Sequence, residues 1–240
     1  MIQFVPLTGD KVMVYPIPRP SRYWADVVES IVTVEILHSI LLVVSAFWLG
    51  ACPFSVWIGR WLLGKDIRDY GDGNPGAVNV FRAGGRKSGS LAIVLDMAKG
   101  VPLVALAHSV FGFPDVAVMA VALSAILGSA FSPLLRLRGG KSIAITFGVL
   151  LALPQHDLLI TFVVFMFLGF LFIEADAWIV MFGAAGSLSY LAITRGSSWE
   201  SLFMACVLVI LAVKHFDELR TIPRPKEKVI HWLQSRGRAT

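Results

Sequence analysis

The sequence predicts an all-α polytopic membrane protein, with about seven transmembrane helices joined by glycine-rich cytoplasmic loops. Three observations carry this. The chain is 56% hydrophobic and only 15% charged over 240 residues, where soluble domains are about a quarter charged. Its apolar residues fall in long runs rather than in an amphipathic pattern. Its basic residues fall between alternate runs. These features point to one integral membrane domain rather than a soluble core with an anchor.

The elements follow in order. Residues 1–35 form an N-terminal extension, partly extended, in which Pro6, Pro16, Pro18 and Pro20 alternate with Lys11, Arg19 and Arg22. It does not read as a secretory signal, because the apolar run begins too late and Glu29 and Glu35 interrupt its approach. Residues 36–215 form the helical membrane domain. The first apolar run, about 36–63, exceeds the roughly 20 residues of a straight crossing, so Pro53 is expected to break or tilt it. Further spans read at about 89–111, 115–134, 142–153, 158–173, 177–194 and 199–214. The fourth is short. Residues 216–240 form a basic tail.

Loop charge sets the expected topology. Loop 64–88 holds Lys65, Arg68, Arg82, Arg86 and Lys87, loop 135–142 holds Arg136, Arg138 and Lys141, and the tail carries seven more cations from Lys214 onward. The alternate loops, 111–115, 154–157 and 195–198, hold only Arg195. The positive-inside rule therefore puts the basic loops and the C-terminus in the cytoplasm.

Residues 64–87, GKDIRDYGDGNPGAVNVFRAGGRK, contain six glycines and five Lys or Arg. Glycine lets backbone approach an anion, successive amides converge on it, and arginine adds bidentate donors. Arg136-Leu137-Arg138-Gly139-Gly140-Lys141-Ser142 is a second such loop. Two anion-ready loops suggest an enzyme of phosphorylated substrates at a bilayer surface. Two lookalikes are set aside. Gly71-Asp72-Gly73-Asn74-Pro75-Gly76 has dinucleotide-motif spacing, but no βαβ unit surrounds it. Gly140-Lys141-Ser142 resembles the end of a nucleotide-binding loop whose first glycine would fall on Leu135. Cys52 and Cys206 lie in apolar segments and give neither a disulfide framework nor metal spacing. No metal site, cofactor or nucleic-acid partner is expected.

Residues 48–146 resemble the bacterial PlsY-type glycerol-3-phosphate acyltransferases. The resemblance runs through Gly50-Ala51-Cys52-Pro53-Phe54, Asp66-Ile67-Arg68, Gly73-Asn74-Pro75-Gly76-Ala77, Asn79-Val80-Phe81-Arg82, Leu95-Asp96, Lys99-Gly100, Phe131 and Arg138-Gly139-Gly140-Lys141. A third family motif, after the last span, is matched only by His215. The resemblance implies a multi-pass protein of the bacterial inner membrane, with its site at the cytoplasmic face. It implies acyl transfer from acyl phosphate to the 1-hydroxyl of glycerol 3-phosphate, without a cofactor, as a step of phospholipid biosynthesis. On that basis Arg82, Arg138 and Lys141 would clamp phosphates, with loop amides around Gly73, Gly76, Gly139 and Gly140. Asn74 and Asn79 would orient the acceptor, and His215 would be a base or orienting group. Asp96 and Lys99, three apart on one helix, can meet on one face, as a structural ion pair or as part of the site's support.

Five positions depart from the family pattern: Asp72 for Ser, Val78 for Thr, Ser129 for His, Ser142 for Gly and Glu218 for Asn. Asp72 and Glu218 put carboxylates beside expected phosphate sites, where Asp72 would pair with Arg68 or Arg82. The alternative reading is therefore a catalytically degenerate membrane scaffold or accessory subunit, with the N-terminal extension packing on a protein partner. If adjacent cations neutralise both carboxylates and an open pocket remains, the enzyme reading gains.

Overall fold

A computed structural model describes residues 2–6, 12–16 and 22–221; the part of the expected basic tail beyond 221 lies outside them. The chain divides into two units, 1–40 and 41–240. In the first, strand β1 (Ile2–Pro6) pairs antiparallel with β2 (Val12–Pro16), with Phe4 opposite Val14. This small hairpin is an addition to the all-α class that the composition indicates. Helix α1 (Arg22–Ala51) begins in the first unit and ends in the second.

Pro53 ends α1 as its ring requires, and α2 (Phe54–Leu63) starts directly after it. The first glycine loop then follows. It is not purely irregular: a short helix, α3 (Ala77–Ala83), lies within it. The second apolar run is also interrupted. Helix α4 (Arg86–Ala98) stops at Lys99-Gly100, α5 (Pro102–Ala105) restarts at a proline, and a π-turn covers Leu106–Val110. The rest is α6 (Asp115–Ala130), α7 (Ile143–Ala152), α8 (His156–Phe172), α9 (Asp176–Arg195), α10 (Trp199–Lys214) and the one-turn α11 (Phe216–Leu219).

Among the described residues, four helical stretches are long and apolar enough to cross a bilayer: Val32–Leu63, Arg86–Val110, Asp115–Leu135 and Asp176–Arg195. Their outward faces are greasy. On α8, Ile160, Phe167, Phe170 and Phe172 are each more than half exposed. Water would penalise that much apolar surface, whereas lipid does not. This is a multi-pass membrane protein.

Helix contacts in lipid rely on small residues and interhelical hydrogen bonds, and both occur. A Cβ on Gly128 would lie 2.0 Å from the Phe47 carbonyl oxygen, and one on Gly50 would lie 2.1 Å from that of Ala125. Ser124 and Ser132 hydroxyls donate to Val43 O (2.7 Å) and Ala51 O (2.6 Å) on the same seam. Helices α4 and α7 meet as closely. A Cβ on Gly148 would fall 1.9 Å from Met97 O, and one on Gly100 would fall 2.7 Å from Ile145 O. The main core gathers around α6 to α10, including Ile126, Leu150, Phe162 and Phe203. A separate small core of Val56, Ile58, Ile67, Val80 and Ala92 lies beneath the first glycine loop. That second core gives the loop a fixed base.

Candidate active site

Both glycine loops open onto one cavity of about 990 Å³. Asp72, Asn74, Gly76 and Arg82 line it from the first loop, and Gly140 and Lys141 from the second. His215 and Glu218 close it from the end of α10 and from α11.

Asp72 is the hub of the first loop. Its Oδ1 accepts from the Asn79 amide (2.8 Å) and the Asn74 backbone N–H (3.2 Å), and its Oδ2 accepts from Lys141 Nζ (2.7 Å). Asn79 also donates to the Asn74 carbonyl at 2.9 Å. Arg82 donates to Asn79 Oδ1 at 3.1 Å and lies 3.8 Å from Asp72. Burial opposes the charge of Asp72, but the bonds from Lys141, Asn79 and Asn74 outweigh it and lower its pKa to about 2. Gly71, at φ +59°, makes this possible: a Cβ there would lie 2.1 Å from Arg82 Nη1 and 2.4 Å from Asn79 Oδ1.

Lys141 also donates to Glu218. Burial opposes its charge too, and the two carboxylates more than offset this, so its pKa is raised. Asp72 thus takes Lys141 as its close partner and the expected Arg82 as a more distant one at 3.8 Å, but not Arg68. Arg68 instead grips Asp66 at 2.6 Å, which Arg60 also holds at 3.0 Å. Both carboxylates that depart from the family pattern pair with Lys141, and Arg82 stands 3.8 Å from Asp72 as a second cation.

His215 is 2% exposed, and its Nδ1 lies 2.8 Å from the Leu211 carbonyl. A proton on Nδ1 satisfies that carbonyl and leaves the lone pair of the neutral ring on Nε2. Burial pushes the pKa of His215 below its ordinary value, with the Leu211 bond opposing.

Asp96 and Lys99 make a buried ion pair at 2.9 Å on the cavity wall. Ser55 donates to Asp96 at 2.5 Å, and Lys99 donates to the Cys52 carbonyl at 3.0 Å. Lys99 therefore satisfies a backbone oxygen freed at the α1–α2 break.

Three expected ligands sit differently. Arg138 lines a second cavity of about 780 Å³, as does Gly73. Gly139 is buried, where a Cβ would lie 2.1 Å from Ser129 O. The loop amides are largely spent inside the loops: Gly73 N–H on Tyr70 O, Gly76 N–H on Asn74 O and Gly140 N–H on Ser129 O. The polar reach of the main cavity thus comes from side chains, not from an amide cradle. Val78, Ser129 and Ser142 are neutral departures, with Ser129 and Ser142 both buried.

Gly71 and Lys214 are structural contributors that motif reading passes over. Lys214 donates to Gly139 O at 3.0 Å and lies over the Phe131 ring at 5.4 Å, tying the second loop to α10. A positive φ and a 75-residue separation leave no local pattern to read. Among the described residues no group of three or more metal-ligating side chains occurs.

Residues 40–224 match the family model for glycerol-3-phosphate acyltransferase. A glycerol-3-phosphate acyltransferase of Streptococcus equi subsp. zooepidemicus is 30% identical over 200 residues, covering 80% of this chain and 93% of that protein. One from Neisseria gonorrhoeae is 30% identical over 197 residues, covering 81% and 98%. The crystal structure of PlsY, an integral membrane glycerol 3-phosphate acyltransferase, in its glycerol 3-phosphate form, superposes with a TM-score of 0.68 at 25% identity. It covers 76% of this chain and 90% of its own. With matched loops, helices and length, the chain belongs to the glycerol-3-phosphate acyltransferase family.

Proposed function

We propose that this protein transfers an acyl group from acyl phosphate to glycerol 3-phosphate, at the cytoplasmic face of a bacterial inner membrane. The arrangement we favour has seven spans, with both glycine loops and the C-terminus in the cytoplasm. The observation that carries the reading is the convergence of Arg82, Lys141 and His215, from three distant parts of the sequence, on one cavity.

An acyl phosphate is already activated, so the site has to hold phosphate, place a hydroxyl and accept its proton. Arg82 has capacity to spare: it gives one hydrogen bond to Asn79, lies 3.8 Å from Asp72, and its side chain is 49% exposed. Lys141 reaches substrate phosphate by exchanging one of its carboxylates. Asn74 and Asn79 place the acceptor. The acceptor oxygen attacks the acyl carbonyl carbon, a C–O ester bond forms, and the bond from that carbon to the phosphate oxygen breaks. Phosphate leaves with the electron pair, and the hydroxyl proton passes to His215 Nε2. Asp96 and Lys99 keep the wall in place.

The degenerate scaffold reading is not favoured. Asp72 and Glu218 are both paired with Lys141, and the cavity beside them stays open. Purified protein with acyl phosphate and radiolabelled glycerol 3-phosphate tests the proposal. A labelled lysophosphatidate spot on thin-layer separation is the expected result; no labelled lipid would sink it.

A further inference from the structure

We propose that the second cavity binds the phosphate of an anionic phospholipid headgroup, apart from the site of acyl transfer. The charge balance of the two cavities motivates this. The main cavity is lined by three cations, Arg82, Lys99 and Lys141, against five carboxylates, a formal balance of −2. Lys99 and Lys141 are already bonded to carboxylates. The second cavity has Arg68, Arg136 and Arg138 against Asp66 and Asp69, a formal balance of +1.

The cations of the second cavity are also less committed. Arg68 is spent on Asp66. The side chains of Arg136 and Arg138 have no hydrogen-bond or ion-pair partner among the described residues, and both residues are exposed. Two unpaired guanidinium groups facing a polar recess are fitted to a phosphate oxygen pair.

The surroundings favour a lipid over free phosphate. Leu134 is 51% exposed and Leu137 is 61% exposed, on the same short loop as the two arginines. Arg136 and Leu137 take the left-handed conformation in succession, at φ 53° and 63°. The turn leaves Arg136 and Arg138 on the cavity, while Leu137 does not line it. On the α2 side, Asp66 bonds to Arg60, whose neighbour Trp61 is 76% exposed. Basic groups bracketed by exposed Leu and Trp at a helix end suit the headgroup level of a bilayer. A soluble anion would gain nothing from the apolar flanks.

The test uses the full chain in mild detergent, with bound lipid counted by native mass spectrometry after adding phosphatidylglycerol or phosphatidylcholine. Wild type should retain phosphatidylglycerol in preference to phosphatidylcholine. R136Q/R138Q should lower that retention by roughly five- to thirtyfold, the scale for two basic residues at an anionic surface. R136K/R138K should keep much of it, and K87Q, at an exposed lysine of the other loop, should keep all of it. Equal retention of the two lipids, or an equal loss in K87Q, would overturn the proposal. Displacement of the lipid by millimolar inorganic phosphate would reassign the cavity to a soluble anion and equally overturn the lipid assignment. If the double variant fails to fold, R136Q and R138Q are scored singly by the same ratio.

Discussion

Lys141 and Asp72 meet at 2.7 Å across 69 residues of sequence, and this bond ties the two glycine loops together. It joins the one lysine expected to grip substrate phosphate to a carboxylate that would repel it. The same lysine also holds Glu218. On the proposed mechanism, substrate phosphate enters by competing for a cation already in use.

Lys141→Ala removes a charged hydrogen-bond donor from the acceptor, takes the lysine from Glu218, and leaves Asp72 with Asn74, Asn79 and the more distant Arg82. The expected loss of glycerol 3-phosphate affinity is about 1.5–3 kcal/mol, or roughly 10- to 150-fold. The folded protein should persist, because the loops are solvated. Unchanged turnover and KM in an active preparation would remove Lys141 from the site.

Asp72→Ser with Glu218→Asn separates adaptation from repulsion. If the carboxylates hold Lys141 in place for this enzyme, the double variant loses activity, with a fall in kcat. If they merely repel phosphate, it gains affinity instead. Turnover and glycerol 3-phosphate binding of the two proteins, compared in one assay, decide between these.

The pH response has a defined sign. The pKa of Asp72 is lowered from 3.8 to about 2. A lowered carboxylate stabilises the fold above its ordinary pKa, and this contribution fades as pH falls through the lowered value. The thermal-stability gap between wild type and Asp72→Ser should be flat from neutrality down to about pH 5, and should close toward pH 2. His215 moves below its ordinary 6.5 through burial. Neutral ring, and so proton acceptance, should persist below pH 6.5, with the acid limb of the rate profile beneath that point. A limb above 6.5 would exclude His215 as its source.

Lys99→Met leaves the Asp96 carboxylate buried without its partner. Removing one member of a buried ion pair costs about 3–5 kcal/mol, whereas replacing both with similar volume costs much less. Lys99→Met should therefore unfold at markedly lower temperature, and Asp96→Asn with Lys99→Met should recover part of the loss. Equal melting of the single and double variants would show that Lys99 acts through Cys52 O alone.

Much of this was legible in the sequence. Each apolar run is mainly helical in the structure, with breaks at Pro53 and at Lys99-Gly100, because burying an unpaired backbone in lipid leaves few alternatives. The break at Pro53 follows from its ring. Spacing of three brings Asp96 and Lys99 onto one helical face. Other features depended on tertiary placement. Arg138 and Lys141 are three residues apart, yet they line different cavities. No pattern of residue types signals the left-handed turn at Arg136 and Leu137, since neither residue is glycine. The partners of Asp72 were half legible: Arg82, near in sequence, lies 3.8 Å away, but Asp66 takes Arg68, and the close partner Lys141 is 69 residues off. The loop amides looked free only because the turns that consume them are not written in the glycines themselves.

The closest approach of α4 and α7, through Gly148 and Gly100, has a bearing on how this enzyme can change. Helix α4 follows the first glycine loop and α7 follows the second, and a Cβ on Gly148 would lie 1.9 Å from Met97 O. Main chain resting on main chain fixes the spacing of the two helices independently of any loop side chain. Charges on the two loops, at positions such as 72, can then be rewritten by mutation while the helices that follow them keep their spacing. Divergence in acceptor preference is open to single substitutions in the loops, and closed to them at Gly148.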